Sequence, residues 1–123
     1  MGKRKWKPKN DIYSLEAILV EVSDQYLTLE EFNVLAEKNY ENDEVLLDVL
    51  RKHCRPAFDC EPESGRKLIQ NALAESLTDP NYQYDEIWCN LVFPFAYPTG
   101  IQDPKKFLGI LWEAIFDRRF SGL

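Results

Sequence analysis

The feature that most constrains this chain is a succession of capped segments in which apolar residues recur at helical spacing. The clearest start lies in "LTLEEF". There Thr28 stands as a cap, Glu31 three residues on completes a capping box, and Leu27 and Phe32 occupy the two positions of a hydrophobic staple. This predicts a helix running through Leu35 and Ala36 to about Tyr40. Upstream, Ile12, Leu15, Ile18, Leu19 and Val22 form one stripe, with Asn10 or Asp11 as cap. Downstream, Asn42 caps "DEVLLDVLRKHC", whose inner face is Val45, Leu46, Val49 and Leu50, and Pro56 is expected to end it. "RPAFDCEPESG" then reads as a loop, after which Pro62 or Ser64 opens a helix carrying Leu68, Ile69, Ala72, Leu73 and Leu77.

Asp79-Pro80-Asn81 breaks that helix, and Asp85 caps a short one with Ile87, Trp88, Leu91 and Val92. Pro94 and Pro98 stop it; "NLVFPF" as a strand is the alternative, without an obvious partner strand. Asp103 with Pro104 at the first helical position opens the last helix. Phe107, Leu108, Leu111, Trp112 and Ile115 give that helix a wide apolar face, extended by Ile110, Ala114 and Phe116, which predicts a central position. The expected fold is all-α: a compact single-domain bundle of about five or six helices over residues 11–123, preceded by a flexible basic tail over residues 1–10. At 123 residues the chain is long enough to build a core without staples.

Charge is where composition matters. The net charge is −6, but residues 1–10 carry +5, and residues 11–48 hold eleven acids against Lys38 alone, a net −10. Such a block is either a solvated helical face or a surface that attracts a basic partner. No apolar run approaches the roughly 20 residues needed to span a bilayer, and no apolar stretch follows the basic leader. A cytoplasmic protein without membrane contact is the expectation.

The chemistry of known active sites is not visible. His53 is the single histidine, and it is adjacent in sequence to Cys54, so on a helix the two side chains diverge. Cys54, Cys60 and Cys89 are odd in number and lack metal-ligand spacing; buried or idle thiols are the leading reading, and a Cys54–Cys60 bridge is the alternative that spacing alone allows. Five glycines make no phosphate-binding loop. Glu30-Glu31, Asp43-Glu44 and Asp85-Glu86 each have a capping explanation. No cofactor, metal or catalytic residue is expected.

Six of sixteen aromatic residues fall between 79 and 98: Tyr82, Tyr84, Trp88, Phe93, Phe95 and Tyr97. Trp88, Phe93 and Phe95 are expected to point inward. Tyr82 and Tyr84 sit in a polar turn, and Tyr97 lies between turn signals, so these three are candidate exposed anchors.

The stretch "SDQYLTLEEFNVLAEKNYENDEVLLDVLRKHC" resembles the first two helices of the small immunity proteins that neutralise colicin- and pyocin-type DNase toxins. Ser23, Asp24, Tyr26, Thr28, Glu31 and Phe32 follow that family's Ser-Asp-Tyr-Thr-x-x-Glu-Phe opening, with residues inserted. Leu47, Asp48, Val49, Leu50 and His53 follow its Leu-Asp-Val-Leu-x-x-His ending. The resemblance covers about a quarter of the chain. The family's toxin-docking Tyr-Tyr-Pro has a counterpart only in Ala96-Tyr97-Pro98, and its last helix start only a loose one in Asp103-Pro104-Lys105-Lys106. The loop between the two helices is shorter here, and there are extra segments at the front and between residues 55 and 92. The resemblance implies a small, acidic, non-catalytic inhibitor of a basic nuclease.

Together these observations predict a binding protein whose acidic helical surface docks on a basic partner, a toxin nuclease domain in the leading reading. The expected contacts are Glu37, Glu41, Asp43, Glu44 and Asp48 for steering, and Tyr82, Tyr84, Asp85, Glu86 and Tyr97 as anchors. Direct nucleic-acid binding is not expected. A phage or mobile-element nucleic-acid mimic or adaptor, and a self-associating structural subunit, are the alternatives.

Overall fold

The computed structural model describes residues 13–40, 42–82 and 104–120. Five α-helices form within them: α1 (Tyr13–Leu19), α2 (Leu29–Ala36), α3 (Asp43–Cys60), α4 (Glu63–Thr78) and α5 (Pro104–Phe116). A 3-10 turn, Val20–Val22, continues α1. There is no strand among the described residues, and the fold is all-α. The basic leader, the Asn10/Asp11 and Asp103 caps, Cys89, the 79–98 aromatics beyond Tyr82 and the short helix or strand expected there lie outside the described residues.

α5 is central, as its wide apolar face predicts. It packs against α3 and α4, and α1 packs on α3 and α4. Phe107, Leu108, Leu111, Trp112, Ala114 and Ile115 are all buried, and Leu15, Ile18, Leu19 and Val22 from α1 and its 3-10 extension are fully so. From α3 come Leu46, Val49, Leu50, Cys54 and Phe58, and from α4 Ile69, Ala72, Leu73 and Leu77. These residues belong to one contiguous core. Aromatic rings close its α5 end: Trp112 lies 4.3 Å from Phe116 and 4.8 Å from Phe120 between centroids, and Phe116 meets Phe58 edge-on at 5.4 Å.

Two local expectations are corrected, and one alternative is removed. Pro56 does not end α3, which continues to Cys60, so the first half of the expected loop is helix. Proline removes a hydrogen bond and crowds the carbonyl four residues back, at about 3 kcal/mol. The extra turn offsets this through Phe58, whose burial against Phe116 is worth roughly 1.5–3 kcal/mol. Second, Cys54 and Cys60 are free thiols, the first buried and the second exposed, in line with the leading reading and against the bridge. Six residues apart on one helix, they are separated by about 9 Å of rise, too far for a disulfide. Third, α2 ends at Ala36 rather than near Tyr40. The chain turns back there, and the buried Tyr40 hydroxyl donates to the Leu35 carbonyl, which takes up a helix-terminal acceptor. Burial pushes the Tyr40 phenol up to about 12, so it stays a donor.

The end of α5 is fixed differently. Asp117 adopts φ 58°, the left-handed conformation, and its N–H donates to the Glu113 carbonyl at 2.8 Å. Its carboxylate pairs with Arg55 at 2.6 Å and with Arg51 at 3.7 Å, which ties the helix end to α3.

Candidate partner-binding surface

α2 differs from the other helices in what it buries. Only Leu35 is fully buried, and Phe32 is half-buried beside it; Leu27 and Tyr40 on the flanks complete its hold on the core. Its start is ordered by its cap instead. The Thr28 hydroxyl accepts from the Glu31 N–H at 3.1 Å, and the Glu31 carboxylate accepts from the Thr28 N–H at 2.9 Å. The Thr28 N–H, and after it the Thr28 hydroxyl beside the carboxylate, hold the Glu31 carboxyl below its ordinary range. The preceding turn is fixed by Ser23, which is buried: its hydroxyl donates to the Val20 carbonyl at 2.8 Å and accepts from the Gln25 N–H at 3.2 Å.

At about 100° per residue, Phe32 and Leu35 point one way and Leu29, Asn33, Glu37, Glu30 and Val34 spread over an arc of about 140° on the other. Every residue of that arc is exposed, Leu29 at 78% and Val34 at 56%. Tyr26, in the turn before the helix, is 65% exposed. The expected contact Glu37 therefore shares its face with Leu29 and Val34, which are not among the contacts expected from the sequence. The signal was available: in an eight-residue helix, Val34 cannot share a face with both Phe32 and Leu35.

Asp43, Glu44 and Asp48 are all exposed on the first turns of α3. Asn42 caps that helix by accepting from the Glu44 N–H at 3.0 Å. Asp43 also pairs with Lys106 of α5 at 3.2 Å. Asp43, Glu44 and Leu47 form one wall of an open groove of about 980 Å³; Lys105, Lys106 and Phe120 stand among its other lining residues. The groove thus mixes both charges, whereas the acids of α2 have only Lys38 near them in sequence.

Tyr82 does not behave as an exposed anchor. It is 6% exposed and belongs to the core. The reason is the turn after α4. The Asp79 carboxylate accepts from the Asn81 N–H at 2.8 Å, and the Tyr82 N–H reaches the Asp79 carbonyl at 3.3 Å, which folds the chain back over the bundle. Glu41, Tyr84, Asp85, Glu86 and Tyr97 lie outside the described residues.

The His53–Cys54 neighbours are poorly suited to nucleophilic chemistry. Cys54 is fully buried, and burial together with the Glu21 carboxylate raises its thiol far above the ordinary value, so it is protonated at neutral pH. Burial, with the Lys52 ammonium adding, lowers the pKa of His53. Among the described residues no group of three or more His, Cys, Asp or Glu side chains is arranged to hold a metal ion, and no helix is long and apolar enough to cross a membrane. Comparison of the chain with protein-family models, curated proteins and solved structures gives no match.

Proposed function

We propose that this chain is a small acidic binding protein that acts without catalysis by neutralising a basic protein, as an immunity protein does for a bacterial toxin nuclease. The observation that carries this reading is the placement of its acids. Asp24, Glu30, Glu31, Glu37, Asp43, Glu44 and Asp48 are all exposed, and Lys38 is the single base between the first and the last. A predominantly negative surface of this kind, with Asp43 paired to Lys106, speeds encounter with a positive partner and disfavours like-charged ones. The resemblance of residues 23–54 to the DNase immunity proteins supports the same direction and supplies the nuclease as the partner class.

The test is capture with the intact chain from the cells that make it, followed by assay of the captured protein alone. The reading expects a basic nuclease whose activity disappears at one equivalent of the chain, with association that slows as salt is added. A neutral or acidic partner, or a nuclease indifferent to the chain, contradicts it.

A further inference from the structure

Acids steer association, but they seldom hold a complex together; buried apolar anchors do. The described surface offers such anchors in one place next to the acids. Tyr26, Leu29 and Val34 are three of the four large apolar residues that stand exposed, and all three lie on α2 or the turn that leads into it. Glu30 and Glu37 both sit between Leu29 and Val34 on the outward arc. The fourth exposed residue, Leu68, is on α4, beside Arg66 and Lys67.

The helix that carries these side chains packs little of itself. Leaving Leu29 and Val34 in water forgoes the favourable burial that the apolar side chains of the other helices obtain. The capping box nevertheless holds the helix start in place, so the anchors are presented on an ordered element and little ordering remains to be done at binding. The charge of the arc selects the occupant. Two copies of the chain meeting through α2 would set Glu30 and Glu37 against their own equivalents. A surface that places an apolar contact among Lys and Arg side chains meets both parts of the arc at once.

We infer that the outward arc of α2, with Tyr26 beside it, is the docking face for a basic protein, in which Leu29 and Val34 are the apolar anchors at the two sides and Glu30 and Glu37 the charges between them. The assignment rests on the proposed neutralisation of a basic partner and places it on the molecule.

Site-specific photocrosslinking in the cells that make the protein tests this. A benzophenone amino acid replaces Leu29, Val34 or, as control, Leu68, in full-length chains whose thermal melts match the wild type. The expected result is an adduct from positions 29 and 34 with one protein, through a Lys- and Arg-rich segment of it. Its yield should exceed that from position 68 by at least about tenfold, as for central anchors against a remote site. A basic protein crosslinked from position 68 but not from 29 or 34 overturns the assignment to α2 and leaves the proposed function standing. An adduct of two copies of this chain from position 29 overturns it in favour of self-association. A partner without a basic surface overturns both readings. Absence of an adduct at 29 and 34, whatever is captured elsewhere, also overturns the assignment.

Discussion

α5 and α2 are both built from apolar residues, and they use them in opposite ways. α5 buries six of its side chains against α3 and α4 and closes on an aromatic cluster. α2 buries one, half-buries a second and turns two large ones to solvent, yet two hydrogen bonds of a capping box close its start. Stability in the first case comes from packing, and in the second from local hydrogen bonds and the flanking Leu27 and Tyr40. Substitutions in the two regions should therefore have different signatures. Changes in α5 should lower global stability, and changes on the outer face of α2 should leave it nearly untouched.

The largest effect is expected at Trp112. Trp112→Ala should cost roughly 3–5 kcal/mol by denaturant unfolding, because the ring is buried against Phe116 and Phe120. Its indole N–H has no acceptor among the described residues, so Trp112→Phe should cost clearly less. Next is the proline inside α3. Pro56 is exposed, and Pro56→Ala restores a helical N–H, so the unfolding free energy should rise by about 1–3 kcal/mol. A fall would show that the ring packs where the structure leaves it in solvent.

At α2 the expected effect is smaller and local. Thr28→Ala removes the cap and should cost about 1 kcal/mol, read as faster amide exchange in α2 while α5 is unaffected. Acid should do the same. Because the Glu31 carboxyl lies below its ordinary value of 4.5 when folded, its contribution is complete above that value and disappears as pH falls through the folded one. Glu31→Gln should flatten the dependence. The smallest effect belongs to the proposed anchors: Leu29→Ala and Val34→Ala should each change stability by less than about 0.5 kcal/mol. A loss above 2 kcal/mol at either would return the arc to the core and remove the contrast between the helices.

Much of this fold is legible in the sequence because its helices announce themselves locally. Thr28 and Glu31 pair as the capping box requires, Asn42 caps α3, and the stripes of α1 and α5 are the buried ones. What sequence cannot supply is the tertiary contact that overrides a local rule. Pro56 reads as a stop because the reward for continuing, Phe58 against Phe116, lies sixty residues along the chain. Tyr82 reads as exposed because its neighbours are polar, and only the Asp79 turn reveals its inward course. The acids Glu37, Asp43, Glu44 and Asp48 were legible as surface, since charge is seldom buried. Leu29 and Val34 were not read as surface, since an apolar residue in a periodic segment reads as core until the position of the helix is known.

Native-state hydrogen exchange under rising denaturant tests the contrast most directly. The account predicts that α2 amides exchange through local opening, at a free energy well below that of global unfolding, while the buried amides of α5 and α3 exchange only with the whole bundle. If α2 amides instead merge with those of α5 into one unfolding isotherm, α2 is part of the packed core and its outward face is not an independently held surface.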